Sequence, residues 1–148
     1  MRVVLQRVLE ARVDIAGQTV ATIGRGLLLL TGFGNGDCAA TLEPMAKKIF
    51  RLRVFSDTDD RLQNDVVQTQ GAVLVVPQFT LYAGLHKGRR PDFTAAMAPI
   101  EAKVLFNQFV FELRAHSTVA VSSGVFGANM QISLINDGPF TLTLDSAE

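Results

Sequence analysis

This chain has very few of the residues that usually announce a catalytic or metal site. Its 148 residues include one cysteine, Cys38, two histidines, His86 and His116, one tyrosine and no tryptophan. A single cysteine excludes an intramolecular disulfide. Two histidines and one thiol supply a zinc cage poorly, so neither metal nor cofactor is expected. Charge of either sign is also missing in the net: 14 basic residues balance 14 acidic ones. Attraction to nucleic acid would therefore need a local patch rather than the whole surface. No apolar run approaches the ~20 residues of a membrane span, and Met1-Arg2 leads straight into a strand-like pattern without the layout of a signal peptide. The expectation is a cytoplasmic protein with no membrane partner.

What is present suits one domain over residues 1–148. With 48% hydrophobic residues, a chain of this length buries roughly two-thirds of its unfolded surface. Val3 to Leu9 reads as an opening strand, and Arg12–Asp14 with Thr19–Ile23 as a hairpin around Ala16-Gly17-Gln18. Gly26 introduces Leu27–Leu30, an all-apolar run that suits a strand covered on both faces. Asp37 can cap a helix starting near Thr41, with Leu42, Met45, Ala46, Ile49 and Leu52 on its buried face. Val54-Phe55 and Ala72–Val76 read as further strands. Pro99 fits the first turn of a second helix, whose apolar residues include Ile100, Val104, Leu105, Phe109 and Leu113. Val119–Ser122, Met130–Ile135 and Phe140–Leu144 close the pattern as strands. The fold class is α/β, a single domain with many strands and two amphipathic helices.

Conventional catalytic constellations are absent. No Gly-x-Ser-x-Gly elbow occurs, and no Ser/His/Asp set stands out. His116 falls where a helix ends, which suits a helix-end role. His86 belongs to a solvated loop, and Cys38 reads as a small apolar residue for burial. Gly32-Phe33-Gly34-Asn35-Gly36 lacks the Gly-Lys-Ser/Thr ending of a phosphate loop and reads as a strand-to-helix turn. His86-Lys87-Gly88-Arg89-Arg90-Pro91 concentrates three full positive charges in four residues, and arginine forks match phosphate geometry. As residues alone, that run reads equally as a solvated surface. Two further segments end hydrophobic runs on polar, constrained backbone: Pro77-Gln78-Phe79-Thr80-Leu81 and Asn136-Asp137-Gly138-Pro139-Phe140-Thr141. Read singly, each is also compatible with an ordinary strand end or turn.

Taken together, these stretches resemble the D-aminoacyl-tRNA deacylase family over essentially the whole chain. The resemblance is carried by Met1-Arg2-Val3-Val4-Leu5-Gln6-Arg7-Val8, Gln78-Phe79-Thr80-Leu81-Tyr82, Lys87-Gly88-Arg89-Arg90-Pro91, Phe126-Gly127-Ala128-Asn129-Met130 and Asn136-Asp137-Gly138-Pro139. It implies a homodimer of mixed three-layer α/β/β subunits with the active site at the interface. One subunit would contribute Gln78, Phe79 and Thr80 as catalytic residues. The other would insert Gly138-Pro139, joined by a cis bond, to select chirality. Arg7 would support that motif, Phe126 and Met130 would line the adenosine pocket, and Lys87, Arg89 and Arg90 would bind tRNA. Family members cleave the ester between a D-amino acid, or glycine, and the terminal ribose of tRNA, without metal.

Two positions depart from the family pattern. Pro77 stands where serine is usual, and Phe140 where valine is usual. A related branch also carries Pro-Gln at the first motif, has a trans Gly-Pro bond and removes L-alanine from mischarged tRNA. Phe79, Arg7 and the Asn-Asp-Gly-Pro run place this chain with the D-specific family. The competing class is a non-catalytic RNA-binding module that uses only the basic loop.

Overall fold

The computed structural model describes residues 1–86 and 88–147. Strands β1 (Arg2–Ile15), β2 (Gln18–Ile23) and β3 (Gly26–Gly32) come first, then helix α1 (Leu42–Arg51). Short strands β4 (Phe55–Ser56) and β5 (Leu62–Asn64) precede β6 (Ala72–Pro77). Helix α2 (Pro99–Ala115), β7 (Val121–Ser123) and β8 (Gln131–Asp145) complete the chain. The main sheet runs β2-β1-β3-β6-β7, with β8 paired to β1. The pairs β3–β6 and β6–β7 are parallel, and β1 is antiparallel to β2, β3 and β8. Gly26 is required where β3 meets β6, because a Cβ there would fall 1.9 Å from the Ala72 carbonyl oxygen.

The hydrophobic core forms two clusters on opposite faces of β3 and β6. Leu27, Leu29, Val73 and Val75 face the helices and meet Ile49, Phe106 and Phe109. Leu28, Leu74 and Val76 face the other way, onto Val8, Ala11 and Val13 of β1, Ile23 of β2, and Ile132 and Leu134 of β8. Alternating side chains put successive residues on opposite faces, so a run of leucines and valines serves both. The result is a mixed α/β single domain with a largely sheet core.

Four sequence expectations change. The opening strand and first hairpin arm are one 14-residue strand, β1. Met130–Ile135 and Phe140–Leu144 are likewise two halves of β8, so Asn136–Pro139 interrupts a strand rather than ending one. On α2 the buried face is Ala102, Leu105, Phe106, Phe109, Val110 and Leu113, while Ile100 and Val104 are exposed. That buried set keeps strict three- and four-residue spacing, and Ile100 and Val104 fall outside it. Asp37 does not cap α1, whose N-cap Thr41 makes no side-chain cap bond. Instead Asp37 accepts the Met1 α-ammonium, the Gly34 N–H and the Tyr82 hydroxyl. Among the described residues no helix is long and apolar enough to cross a membrane.

Candidate active site

Parallel strands β3 and β6 end side by side, and a cavity of about 480 Å³ opens at their carboxyl ends. Such ends are the usual ligand crevice of parallel α/β sheets. Thr31, Pro77, Gln78, Phe79, Phe126 and Met130 all line it. Phe126 packs towards Phe106 on the helical side of the sheet, and Met130 joins the cluster on the other side. Both sequence-derived pocket residues are therefore where a flat ring could enter between mainly apolar walls.

Beyond Pro77 the chain turns through a short 3-10 helix over Phe79–Tyr82. Proline at the end of β6 costs the sheet nothing here, because Gln78 N–H makes the next bond to the Thr31 carbonyl at 2.7 Å. The Gln78 side-chain amide donates to the Thr80 hydroxyl oxygen. Thr80 thus keeps its own proton free to donate. Among the described residues, no histidine or carboxylate is hydrogen-bonded to Thr80. Nor does the Phe79 or Thr80 backbone N–H donate to a backbone acceptor among them. These are the orphan donors of a helical first turn, and Phe79, though not Thr80, lines the cavity.

Thr31 is the one described residue with a buried side-chain polar atom and no hydrogen-bond partner. A buried unpaired hydroxyl costs ~1–3 kcal/mol. Thr31→Val, nearly the same shape, is expected to raise unfolding stability by about 1 kcal/mol, read as a higher urea midpoint with unchanged slope.

The Gly138-Pro139 segment is built as a bulge. Gln6 pairs with Thr141 and Val8 with Asn136, so Arg7 alone faces Asp137 to Phe140. Asn136 closes the bulge by accepting the Phe140 N–H at 2.6 Å and donating to the Phe140 carbonyl at 3.3 Å. Arg7 fills it from below. Its Nε donates to the Asp137 carbonyl at 2.8 Å and its Nη1 to the Val54 carbonyl at 2.6 Å. Its guanidinium also lies 4.9 Å from the Phe140 ring centre, a cation–π contact that the departure to Phe140 makes available. The Gly138–Pro139 bond is cis. Both residues are exposed, and neither lines the cavity. Arg7 pairs with Leu27, four residues before Thr31 on β3, a separation of about 13 Å along the strand.

The basic loop begins next to the turn. Gly84 and Asp92 exchange two backbone hydrogen bonds at 2.7 and 2.9 Å, closing the loop into a tip. Arg89 and Arg90 are exposed on it and form no salt bridge among the described residues. Lys87 lies outside the described residues. His86 is exposed, and His116 sits at the end of α2 between Glu43 and Glu112, with Nε2 3.5 and 3.2 Å from their carboxylates. Cys38 is exposed rather than buried. None of these three lines the cavity.

The family model described as D-Tyr-tRNA(Tyr) deacylase matches residues 4–145. The chain belongs to the D-Tyr-tRNA(Tyr) deacylase family. It is 52% identical to a D-aminoacyl-tRNA deacylase of Chloroflexus aurantiacus, over 100% of this chain and 92% of that one. A D-aminoacyl-tRNA deacylase of Thermomicrobium roseum is 50% identical, over 100% and 96%. Among solved structures it is similar to a c-Myc DNA Unwinding Element Binding Protein, with TM-score 0.92 and 39% identity, covering 98% of each chain. A probable eukaryotic D-amino acid tRNA deacylase shares the fold at TM-score 0.84 and 18% identity, covering 97% of each.

Within this deacylase-family site, sequence reading missed several partners. Phe93 packs edge-on against Phe79 with ring centres 4.9 Å apart, so the far end of the loop steadies the exposed Phe79 ring. Thr31 carries no signal in the sequence, because its isolation is a property of packing alone. Asn136 carried a signal, since asparagine and aspartate commonly bond their own neighbouring backbone.

Proposed function

We propose that this chain hydrolyses the ester joining a D-amino acid, or glycine, to the terminal ribose of tRNA, as a homodimer in the cytoplasm. Each of two sites would combine Gln78, Phe79 and Thr80 of one copy with Gly138-Pro139 of the other. The observation that carries the reading is the pair of amides at Phe79 and Thr80 without a backbone acceptor, at a turn where Gln78 and Phe79 line the cavity, with no histidine or carboxylate bonded to Thr80 among the described residues. An aminoacyl ester is already activated, and each preorganised donor to its oxyanion contributes ~3 kcal/mol. Thr80 then orients the ester or the attacking water. Threonine is a weak nucleophile without an adjacent base, so covalent attack is the disfavoured route. Thr80→Ala is expected to lower kcat about a hundredfold with the protein still folded.

Chirality follows from sterics. With the α-ammonium and carbonyl fixed, hydrogen and side chain exchange places between enantiomers. A Gly-Pro wall accepts hydrogen on its side and clashes with the Cβ of an L-residue. Because the side chain points away, many D-amino acids fit, and glycine passes the wall. The support for a shared site is that Gly138 and Pro139 are exposed, yet lie away from the cavity of their own chain.

Phe126 and Met130 would hold the terminal adenosine, and Arg89, Arg90 and Lys87 the acceptor-stem phosphates. Replacing Arg89 and Arg90 by alanine should flatten the dependence of log KM on log salt by about 1–2 in slope, with kcat unchanged. Incubation with D-Tyr-tRNA, Gly-tRNA, L-Tyr-tRNA and L-Ala-tRNA tests the function itself. Loss of the D-Tyr and Gly esters alone supports it. Preferential loss of L-Ala would assign the relaxed-chirality branch instead, and no hydrolysis would leave the RNA-binding module.

A further inference from the structure

We propose that Asp37, Tyr82 and Arg2 form a latch that sets the geometry of the Gln78–Thr80 segment, with Asp37 and Tyr82 as positioning residues for ester hydrolysis. The inference rests on the deacylase reading. A four-residue 3-10 helix holds itself poorly. Of the bonds that tie it to its flanks, Leu81 N–H reaches the Gln78 carbonyl at 3.4 Å and Ala83 N–H reaches the Thr80 carbonyl at 3.0 Å. The first is at the limit of a hydrogen bond. Groups outside the turn add to that hold.

Three groups do so. Arg2 Nη1 donates to the Leu81 carbonyl at 3.1 Å, and its guanidinium lies 4.6 Å from the Tyr82 ring centre. Asp145 fixes Arg2 through Nε at 2.9 Å. The Tyr82 hydroxyl donates to Asp37 Oδ2 at 3.2 Å, and the same oxygen accepts the Gly34 N–H at 2.7 Å. Asp37 Oδ1 takes the Met1 α-ammonium.

The turn also lies directly on the end of β3. A Cβ on Gly34 would come 2.2 Å from the Tyr82 ring, and one on Gly32 would come 2.6 Å from the Gln78 carbonyl oxygen. A rotation of the turn as a unit has to lift Tyr82 off Gly34 and break its bond to Asp37. Burial, and then the neighbouring Asp37 charge, hold the Tyr82 phenol well above the usual tyrosine range. It therefore remains a neutral donor to the carboxylate.

The experiment is steady-state deacylation of D-Tyr-tRNA by the full-length protein, with Tyr82→Phe, Asp37→Asn and the double variant. Tyr82→Phe keeps the ring on Gly34 and removes only the hydroxyl. Its kcat is expected to fall about tenfold with KM within about twofold. The double variant should lose no more than Asp37→Asn alone, because both break one link. Full kcat in Tyr82→Phe with a lowered Tm would make the contact merely structural and overturn the latch. A loss carried by KM would overturn it too. If Asp37→Asn does not fold, the kcat-against-KM split of Tyr82→Phe decides alone. Wild-type protein without hydrolysis would sink the deacylase reading rather than the latch.

Discussion

Gly138→Ala is expected to lower kcat/KM on D-aminoacyl-tRNA about a hundredfold or more and to shrink the preference for D- over L-esters. Gly138 sits at φ +151, where L side chains are rarely found. A Cβ built there would lie 2.8 Å from the Phe140 N–H nitrogen, 3.1 Å from the Phe140 Cβ and 3.2 Å from Arg7 Nη2. Two of those neighbours are backbone or close to it, and the third is a guanidinium already committed to two carbonyls. The bulge must shift, at a cost of ~1–3 kcal/mol. A displacement of about an ångström in a positioning wall is enough for a hundredfold loss. The check is a pair of deacylation rates on D-Tyr-tRNA and L-Tyr-tRNA, with Tm to show that the variant is folded. An unchanged ratio would mean that the bulge does not select chirality.

Arg7→Met should have the second largest effect, and on stability as well as activity. Methionine keeps much of the stem but leaves the Asp137 and Val54 carbonyls without their donor. Charged hydrogen bonds contribute ~1.5–3 kcal/mol each. Arg7 is only 12% exposed at its side chain, so solvent screens them little. A loss of about 3 kcal/mol in unfolding free energy is expected, with the chiral ratio falling alongside. Phe140→Val would separate the contributions. It removes the cation–π contact, worth ~0.5–2 kcal/mol, while both carbonyl bonds stay. It should therefore cost less than Arg7→Met on both measures.

These two variants fall on the part of the molecule that was hardest to read from residues alone. Asn136-Asp137-Gly138-Pro139 has the composition of a turn, and bulges use the same residue types as turns. Only the pairing of Arg7 against Asp137–Phe140 reveals that β8 continues through it. Leu27–Leu30 was plain for the opposite reason, since a short all-apolar run between glycines has few places to go but a covered central strand. On α2 the apolar residues form two stripes, so composition could not tell the buried Phe109 from the exposed Ile100.

In the site, Gln78, Phe79 and Thr80 gained meaning only from the whole set of motifs, because none of them is a conventional acid, base or nucleophile. The role proposed for them depends on the uncommitted amides and on the Gln78-to-Thr80 bond. The first is a fact of backbone geometry and the second of side-chain placement, and residue identity encodes neither. Phe93 and Asp37 were out of reach for a related reason. Each touches the Phe79–Tyr82 turn from a distant stretch of chain, and neither spacing nor periodicity links them to it.

The central claim is that each site is shared between two copies, and mixing two inactive variants tests it most directly. Thr80→Ala and Gly138→Ala damage different parts of one site. If Gly138 serves the partner's Thr80, a mixed dimer carries one intact site and one doubly damaged one. Half of the dimers are mixed after random exchange, so activity on D-Tyr-tRNA should recover to about a quarter of wild type. Recovery on mixing, absent from either variant alone, is the predicted result. No recovery, with mixed dimers demonstrably formed, would place Gly138-Pro139 and Thr80 in the same chain's site and contradict the account.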